Sequence, residues 1–479
     1  MRSTSMLVLV VAGVGLLTVV GLIFRWLVSA SRSPSGRERI VALFLALMVI
    51  EASVYEDPNA IPNGLFHPHA GSLSFRLWDV LVPLAVAAYF VARPPGRRSP
   101  MQAVFWCSFM IWIFVSGIEG LMGHNPKDLV TFEAKLIIYL GVLVLVAAVP
   151  VHRWLESRPL RRVIVMSSSI AALLLITTEA QVSINLNLPL LPLQGFGVLG
   201  TDAATIFATL GAITVAVAVC SERGRVRMLM VALPMLAAPF VSGQRAALAG
   251  LGAMLLVLAA AAFLARDRIR ITAAEVGLFA AASVGAFAML VLVSAVENHH
   301  LTIPLANEIQ KTFSSRGKQL SGQDRLNQWD QAVTLISGRP WFGWGLGKAY
   351  AYYSPGFYEF VTTDLTHNIA VDLLLRTGVV GLALFLIAVG ASLRDFALAT
   401  RDQIDARVAA LGTGCLAALV GLVVKGMFES IFEKYRLALL MGMLIGMSVS
   451  FTRERWRVTT AGQTVGSLQA DRLVGVVAQ

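Results

Sequence analysis

Apolar runs of membrane length alternate with short polar turns along nearly the whole chain. They cover residues 6–24, 40–54, 77–92, 101–122, 130–149, 163–178, 203–220, 228–241, 246–264, 271–296, 377–393, 408–427 and 437–451. A helix rises ~1.5 Å per residue, so about 20 apolar residues carry it through a ~30 Å hydrocarbon core. The short alternating segments of a membrane β-barrel are absent. The pattern predicts an all-α, polytopic transmembrane helix bundle of about 13 spans. Ten spans fall within residues 1–295 and three within 367–452, followed by a polar tail over 453–479. The stretch 179–200 contains two prolines and few charges, so it either lies in the interface or re-enters the membrane.

One long polar excursion, residues 296–366, interrupts the series. A loop of that length is uncommon in the absence of a function. Within it, Leu326, Trp329, Val333 and Leu335 or Ile336 recur at roughly helical spacing, which predicts a helix over 324–337, ended by Pro340. WFGWGLG follows, with three glycines suited to positive φ or close backbone approach. Its spacing is not that of a phosphate-binding P-loop, and Ala349 stands where Ser or Thr is needed. Asp364, Thr366, His367 and Asn368 then stand at the mouth of the next apolar run.

Composition and charge sharpen this reading. The 479 residues are 57% hydrophobic and 14% charged, against about 25% charged in soluble chains. The net charge of +11 comes from arginines grouped in alternate turns. That distribution marks cytoplasmic loops rather than a nucleic-acid partner, and sets the N-terminus outside and the C-terminus inside. The long loop is then extracytoplasmic. Cys107, Cys220 and Cys415 are odd in number and lack metal-ligand spacing, so they read as packing residues. The pairs His67/His69 and His299/His300 read as solvated loop histidines, and no D-x-D pair occurs in the outer loops.

Arg325 followed four residues on by Trp329, then GRPWFGWGLG over 338–347, His367–Asn368, and RTGVVGL over 376–382 occur in that order. This order resembles the core of the O-antigen ligase and O-antigen polymerase superfamily. The SGQRAA turn holding Arg245 resembles that family's arginine between two adjacent helices. One span beyond the family's usual dozen is a departure, assigned to an extra N-terminal helix.

The resemblance implies a GT-C-like glycosyltransferase of the bacterial inner membrane. It would move a glycan from a polyprenyl (undecaprenyl) pyrophosphate carrier to a hydroxyl of a lipid, glycan or protein acceptor, with inversion and without metal or cofactor. Charge accumulates on the departing diphosphate, and guanidiniums neutralise it through charge-assisted, bidentate hydrogen bonds. Arg245 and Arg325 are the candidates. An imidazole with a pKa near ~6.5 suits deprotonation of the acceptor, and His367 is the candidate base. Lys135, Arg376, Asn368, Asp364 and Trp329 are candidate substrate-binding residues. Each main candidate has a structural alternative: a turn anchor for Arg245, a solvated helix face for Arg325, a helix cap for His367. The competing functions are a lipid-linked glycan flippase or transporter, whose polar residues would sit near the bilayer midplane, and a non-catalytic scaffold.

Overall fold

A computed structural model of the chain describes residues 18–53, 69–70, 73–74, 77–92, 101–179, 184–188, 191–196, 199–221, 224–242, 244–264, 315–355, 357–364, 366–402, 405–432 and 434–454. The run 271–296, most of 6–24, the histidines 67, 299 and 300, and nearly all of the tail lie outside the described residues. The fold is a polytopic helix bundle, as expected. Its helices are α1 (Thr18–Ser31), α2 (Pro34–Ala52), α3 (Leu77–Val91), α4 (Met101–Met122) and α5 (Lys127–Ala147), the last divided at Lys135 and Gly141. A short α6 (Val151–Glu156) leads into α7 (Arg158–Glu179), α8 (Thr201–Val219), α9 (Arg225–Val241) and α10 (Arg245–Leu264). After the long loop's α11 (Ser315–Gly338) come α12 (Ile369–Asp402), α13 (Ala406–Gly426) and α14 (Tyr435–Glu454).

Among the described residues, eight helices are long and apolar enough to cross a membrane. The innermost is α14, 94% of whose span is buried in protein, while only 22% of α10's span is buried. Helices inside lipid gain little from hydrophobic burial against each other, so small residues that permit close approach set the contacts. A Cβ on Gly250 of α10 would lie 2.9 Å from the Gly421 carbonyl oxygen of α13, and one on Gly446 of α14 would lie 2.7 Å from Leu143 O of α5. A carboxylate within this core needs partners. Glu51 of α2 accepts from the Trp78 indole of α3 and, at 2.6 Å, from the Tyr435 hydroxyl of α14.

Strands occur only as short antiparallel pairs among the described residues. β1 (His69–Ala70) pairs with β2 (Leu73–Ser74), and, within the 179–200 stretch, β3 (Ile184–Leu188) pairs with β4 (Leu191–Phe196). The helix predicted over 324–337 is present and longer: among the described residues the long loop contains the 24-residue α11 and a hairpin of β5 (Tyr350–Ser354) and β6 (Glu359–Thr363). The apolar stripe predicted for α11 is only half inward: Leu326 and Val333 are exposed, whereas Gln328 and Ala332 are buried. Next to a bilayer an apolar side chain does not have to face protein to leave water, so periodicity alone does not identify the inner face.

Candidate functional site

The Gly-rich turn is wedged among α4, α5 and α12. Gly343, Gly345 and Gly347 all have positive φ, between +74° and +79°. Positive φ is costly for side-chain-bearing residues, and here close backbone approach also excludes a Cβ. One on Gly345 would stand 2.2 Å from the Gly120 nitrogen, and one on Gly343 would stand 2.5 Å from the Arg376 carbonyl carbon. The turn's polar backbone is satisfied by the bundle. Leu346 N–H donates to Ser116 O at 2.9 Å, Gly345 N–H to Arg376 O at 3.0 Å, and Gly347 N–H to the Glu133 carboxylate at 2.7 Å. Asn125 Nδ2 donates to the carbonyls of Trp344 and Leu346 at 3.0 and 2.8 Å. The turn is a structural plug that fixes the loop to one end of the bundle.

That plug meets a break in α12. Gly378 has φ 66° and ψ −171° inside the helix. The break frees backbone groups, which buried structure has to satisfy. Val379 N–H donates to Pro340 O at 2.8 Å, and Thr377 O accepts from the Trp112 indole at 3.0 Å. Two more helical turns of α12 therefore precede the break and carry Asp372 and Arg376. Hydropathy placed the span's start at 377 because Asp372 and Arg376 interrupt these otherwise apolar turns.

His367 sits just before these turns, with φ +51°. A non-glycine residue in the left-handed region is uncommon, and such backbone clusters at functional sites. Its neighbours hold it there. Asn368 Oδ1 accepts from Ala370 N and Val371 N at 2.9 and 3.1 Å, capping α12. Asn368 Nδ2 donates to Met427 O at 2.9 Å, at the end of α13. The Trp329 indole of α11 donates to Thr366 O at 2.8 Å. Helix α11 is itself anchored to the hairpin, where Ser354 Oγ donates to the Asp324 carboxylate at 2.8 Å and Asn327 Nδ2 to Tyr353 O at 2.9 Å.

Arg325, four residues before Trp329, donates from Nη1 to Phe428 O at 3.2 Å, in the turn between α13 and α14. The same turn supplies Glu429, whose carboxylate pairs with Lys425 Nζ at 2.7 Å and Lys434 Nζ at 3.7 Å. Burial lowers the His367 pKa from its ordinary 6.5; the nearby Arg325 and Lys434 lower it further, and Glu429 opposes them. Burial alone would raise the Glu429 carboxyl, but Lys425, Lys434 and His367 outweigh it and hold the group below its usual range. Burial, Arg325 and Lys434 together favour the neutral imidazole.

The remaining candidates divide. Arg376 is buried and fully engaged: Nε on Glu133 at 2.6 Å, Nη2 on the Asp364 carbonyl at 2.5 Å, and an ion pair with Asp372. These groups border a cavity of about 30 Å³, room for about one water. Arg376 and Asp364 therefore tie the loop to α5 and α12 beneath His367. Lys135 pairs with Asp79 of α3 at 2.6 Å, where Tyr139 also donates at 2.8 Å. Arg245 is exposed in the first turn of α10. It stands ~7.5 Å up the axis from Gly250, beyond the level at which α10 packs on Gly421 and Lys425. It is thus at the same end of the bundle as His367, with no contact to it among the described residues.

Sequence reasoning passed over Lys425, Glu429 and Lys434. Their signal was present: a lysine ending an apolar run, followed at i+4 by a glutamate, in a turn of mixed charge. What was missing was the knowledge that this turn meets the loop helix.

Comparison with curated proteins finds no match. A family model described as O-antigen ligase matches residues 229–386. The match contains Arg245, Arg325, His367 and Arg376 and excludes Lys135 and the turn carrying Glu429. Over this stretch the polytopic chain is similar to the family described as O-antigen ligase.

Proposed function

We propose that the chain is a membrane glycosyltransferase that moves a glycan from a polyprenyl pyrophosphate carrier to a hydroxyl acceptor, as an O-antigen ligase or a surface-polysaccharide polymerase. The observation that carries this reading is the meeting of Arg325, His367 and the α13–α14 turn at one end of the bundle. His367 would take the acceptor proton through its neutral imidazole while the hydroxyl attacks the anomeric carbon from the face opposite the leaving group, which inverts that centre. Arg325 and Arg245 would neutralise the departing diphosphate without a divalent ion. Trp329, Asn368 and Asp364 would act as positioning residues, and Arg376 would hold the platform on which they stand. In this reading residues 296–366 are the extracytoplasmic, site-bearing segment and the arginine-rich turns face the cytoplasm of a bacterial inner membrane. A flippase would concentrate polar groups near the midplane; this cluster lies at one end of the helices.

The test is glycan transfer by purified protein from a lipid-linked oligosaccharide, read as lengthening of the lipid-linked glycan or its appearance on an added acceptor. His367→Asn keeps a residue that tolerates positive φ and should lower turnover ~10²–10⁴-fold, the usual worth of a general base. Arg325→Gln should cost ~10²–10³-fold. Unchanged turnover in both variants would refute the assigned roles, and glycan flux without bond formation would replace the enzyme with a transporter.

A further inference from the structure

The opposite end of the bundle contains a second site. A cavity of about 930 Å³ opens among α2, α6, α7, α8, α9, α13 and α14. It lies where α7, α9 and α13 begin and α8 ends, the reverse end from Asn368 and Lys425. Its volume is at the upper end of the range for small-molecule sites.

The lining has two chemistries. Inside, Leu45, Ile213, Met443 and Met447 represent a largely apolar wall. At the mouth stand Arg158, Arg161, Arg162, Arg227 and Arg407, all exposed, and among the described residues no acidic one lines the cavity. Arg161 donates to the Glu156 carbonyl. Arg158, Arg162, Arg227 and Arg407 have no ion-pair partner among the described residues. Two residues of the lining, Thr209 and Trp154, turn their polar atoms away from the open space. The Thr209 hydroxyl is fully buried without a hydrogen-bond partner, and so is the Trp154 indole N–H. Guanidinium groups favour phosphate because their forked donors match its oxygens.

We propose that this cavity binds one phosphate-headed lipid, its chain against the apolar wall and its headgroup among the arginines of α7, α9 and α13. The site is separate from the His367 cluster and does not depend on the reaction performed there. Two lipids share this chemistry: an anionic glycerophospholipid of the leaflet and a polyprenyl phosphate.

Full-length protein would be reconstituted in vesicles with phosphatidylglycerol, undecaprenyl phosphate and diacylglycerol in equal amounts, then released gently and weighed by native mass spectrometry. One phosphate-headed lipid per chain is expected to stay bound, with diacylglycerol absent. Retention should fall at least tenfold in Arg162→Glu/Arg227→Glu. It should be unchanged in Arg394→Glu/Arg401→Glu, which reverses two exposed arginines outside the cavity. Ile213→Trp, which fills the apolar wall, should also release the lipid. If the first charge-reversed pair elutes as aggregate, Arg162→Gln/Arg227→Gln serves in its place. Retention of phosphatidylglycerol would name a leaflet lipid, and retention of undecaprenyl phosphate would name the carrier's own lipid. Equal retention of diacylglycerol, or equal loss in both charge-reversed pairs, would overturn the proposal. Glycan transfer is not read, so this outcome is independent of the proposed enzyme.

Discussion

His367 combines a positive-φ backbone with an imidazole whose pKa is lowered, first by burial and then by Arg325 and Lys434. The fold therefore favours the neutral form. This contribution to stability is present above the ordinary 6.5 and is lost as pH falls through the lower folded value. For a neutral base the same shift moves the acid limb of kcat/KM below pH 6.5. Glu429 acts against the lowering, so Glu429→Gln should move the acid limb further down, in a pH–rate profile or in the imidazole's NMR titration. A limb that moved up, or that stayed in place, would show that the carboxylate does not act on His367. Four of the sequence candidates gather here, Arg325, Trp329, His367 and Asn368, because each sits beside a motif boundary that local patterns mark. The turn at Glu429 was not legible, since nothing local says that a residue a hundred positions on will meet Arg325.

At the scale of elements, the break in α12 and the Gly-rich turn form one device. The turn can enter only because Gly378 lacks a side chain: a Cβ there would lie 2.2 Å from the Trp341 carbonyl. Its φ of 66° adds a backbone penalty for any other residue. Gly378→Ala should therefore destabilise the protein by ~1–3 kcal/mol or more. Gly390, in the same helix with open space around its Cβ position, is the comparison. Gly390→Ala should leave the thermal midpoint unchanged or raise it slightly, since alanine is the better helix former. Equal midpoints for the two variants would mean that the plug does not stabilise the fold. Sequence reasoning recognised that WFGWGLG needs positive φ or close approach, because glycine is the residue that permits both. The elements that it approaches were invisible, since the α4, α5 and α12 contacts join positions far apart in the chain.

For the whole molecule, the two ends differ in chemistry: a loop cluster with an imidazole at one, unpaired arginines around an apolar cavity at the other. If the positive-inside rule sets the orientation, the ends lie on opposite sides of the membrane. In a background without the native cysteines, Tyr358→Cys, on an 80% exposed side chain, should react with an impermeant maleimide added outside intact cells. Arg394→Cys, exposed near the other end, should react only after the membrane is opened. The reverse pattern would invert the proposed topology. The bundle itself was readable from the chain, because a ~30 Å apolar solvent imposes helix length on sequence directly. The boundary of α12 drifted where Asp372 and Arg376 interrupt otherwise apolar turns, because transfer hydropathy records solvent preference rather than backbone hydrogen bonding.

The sequence by itself determined the solvent of this protein, its helical class and the rough placement of the described spans, and it singled out residues of unusual chemistry. Each of these follows from short-range patterns of polarity, charge and backbone permissiveness. Only the tertiary structure decided which charges are committed and which stay available. Lys135 and Arg376 are held in buried ion pairs, while Arg325 and the arginines of the far cavity keep guanidinium surface open to a ligand. Pairing depends on which elements pack together, and in lipid that is settled by close fit among small residues distributed over the whole chain.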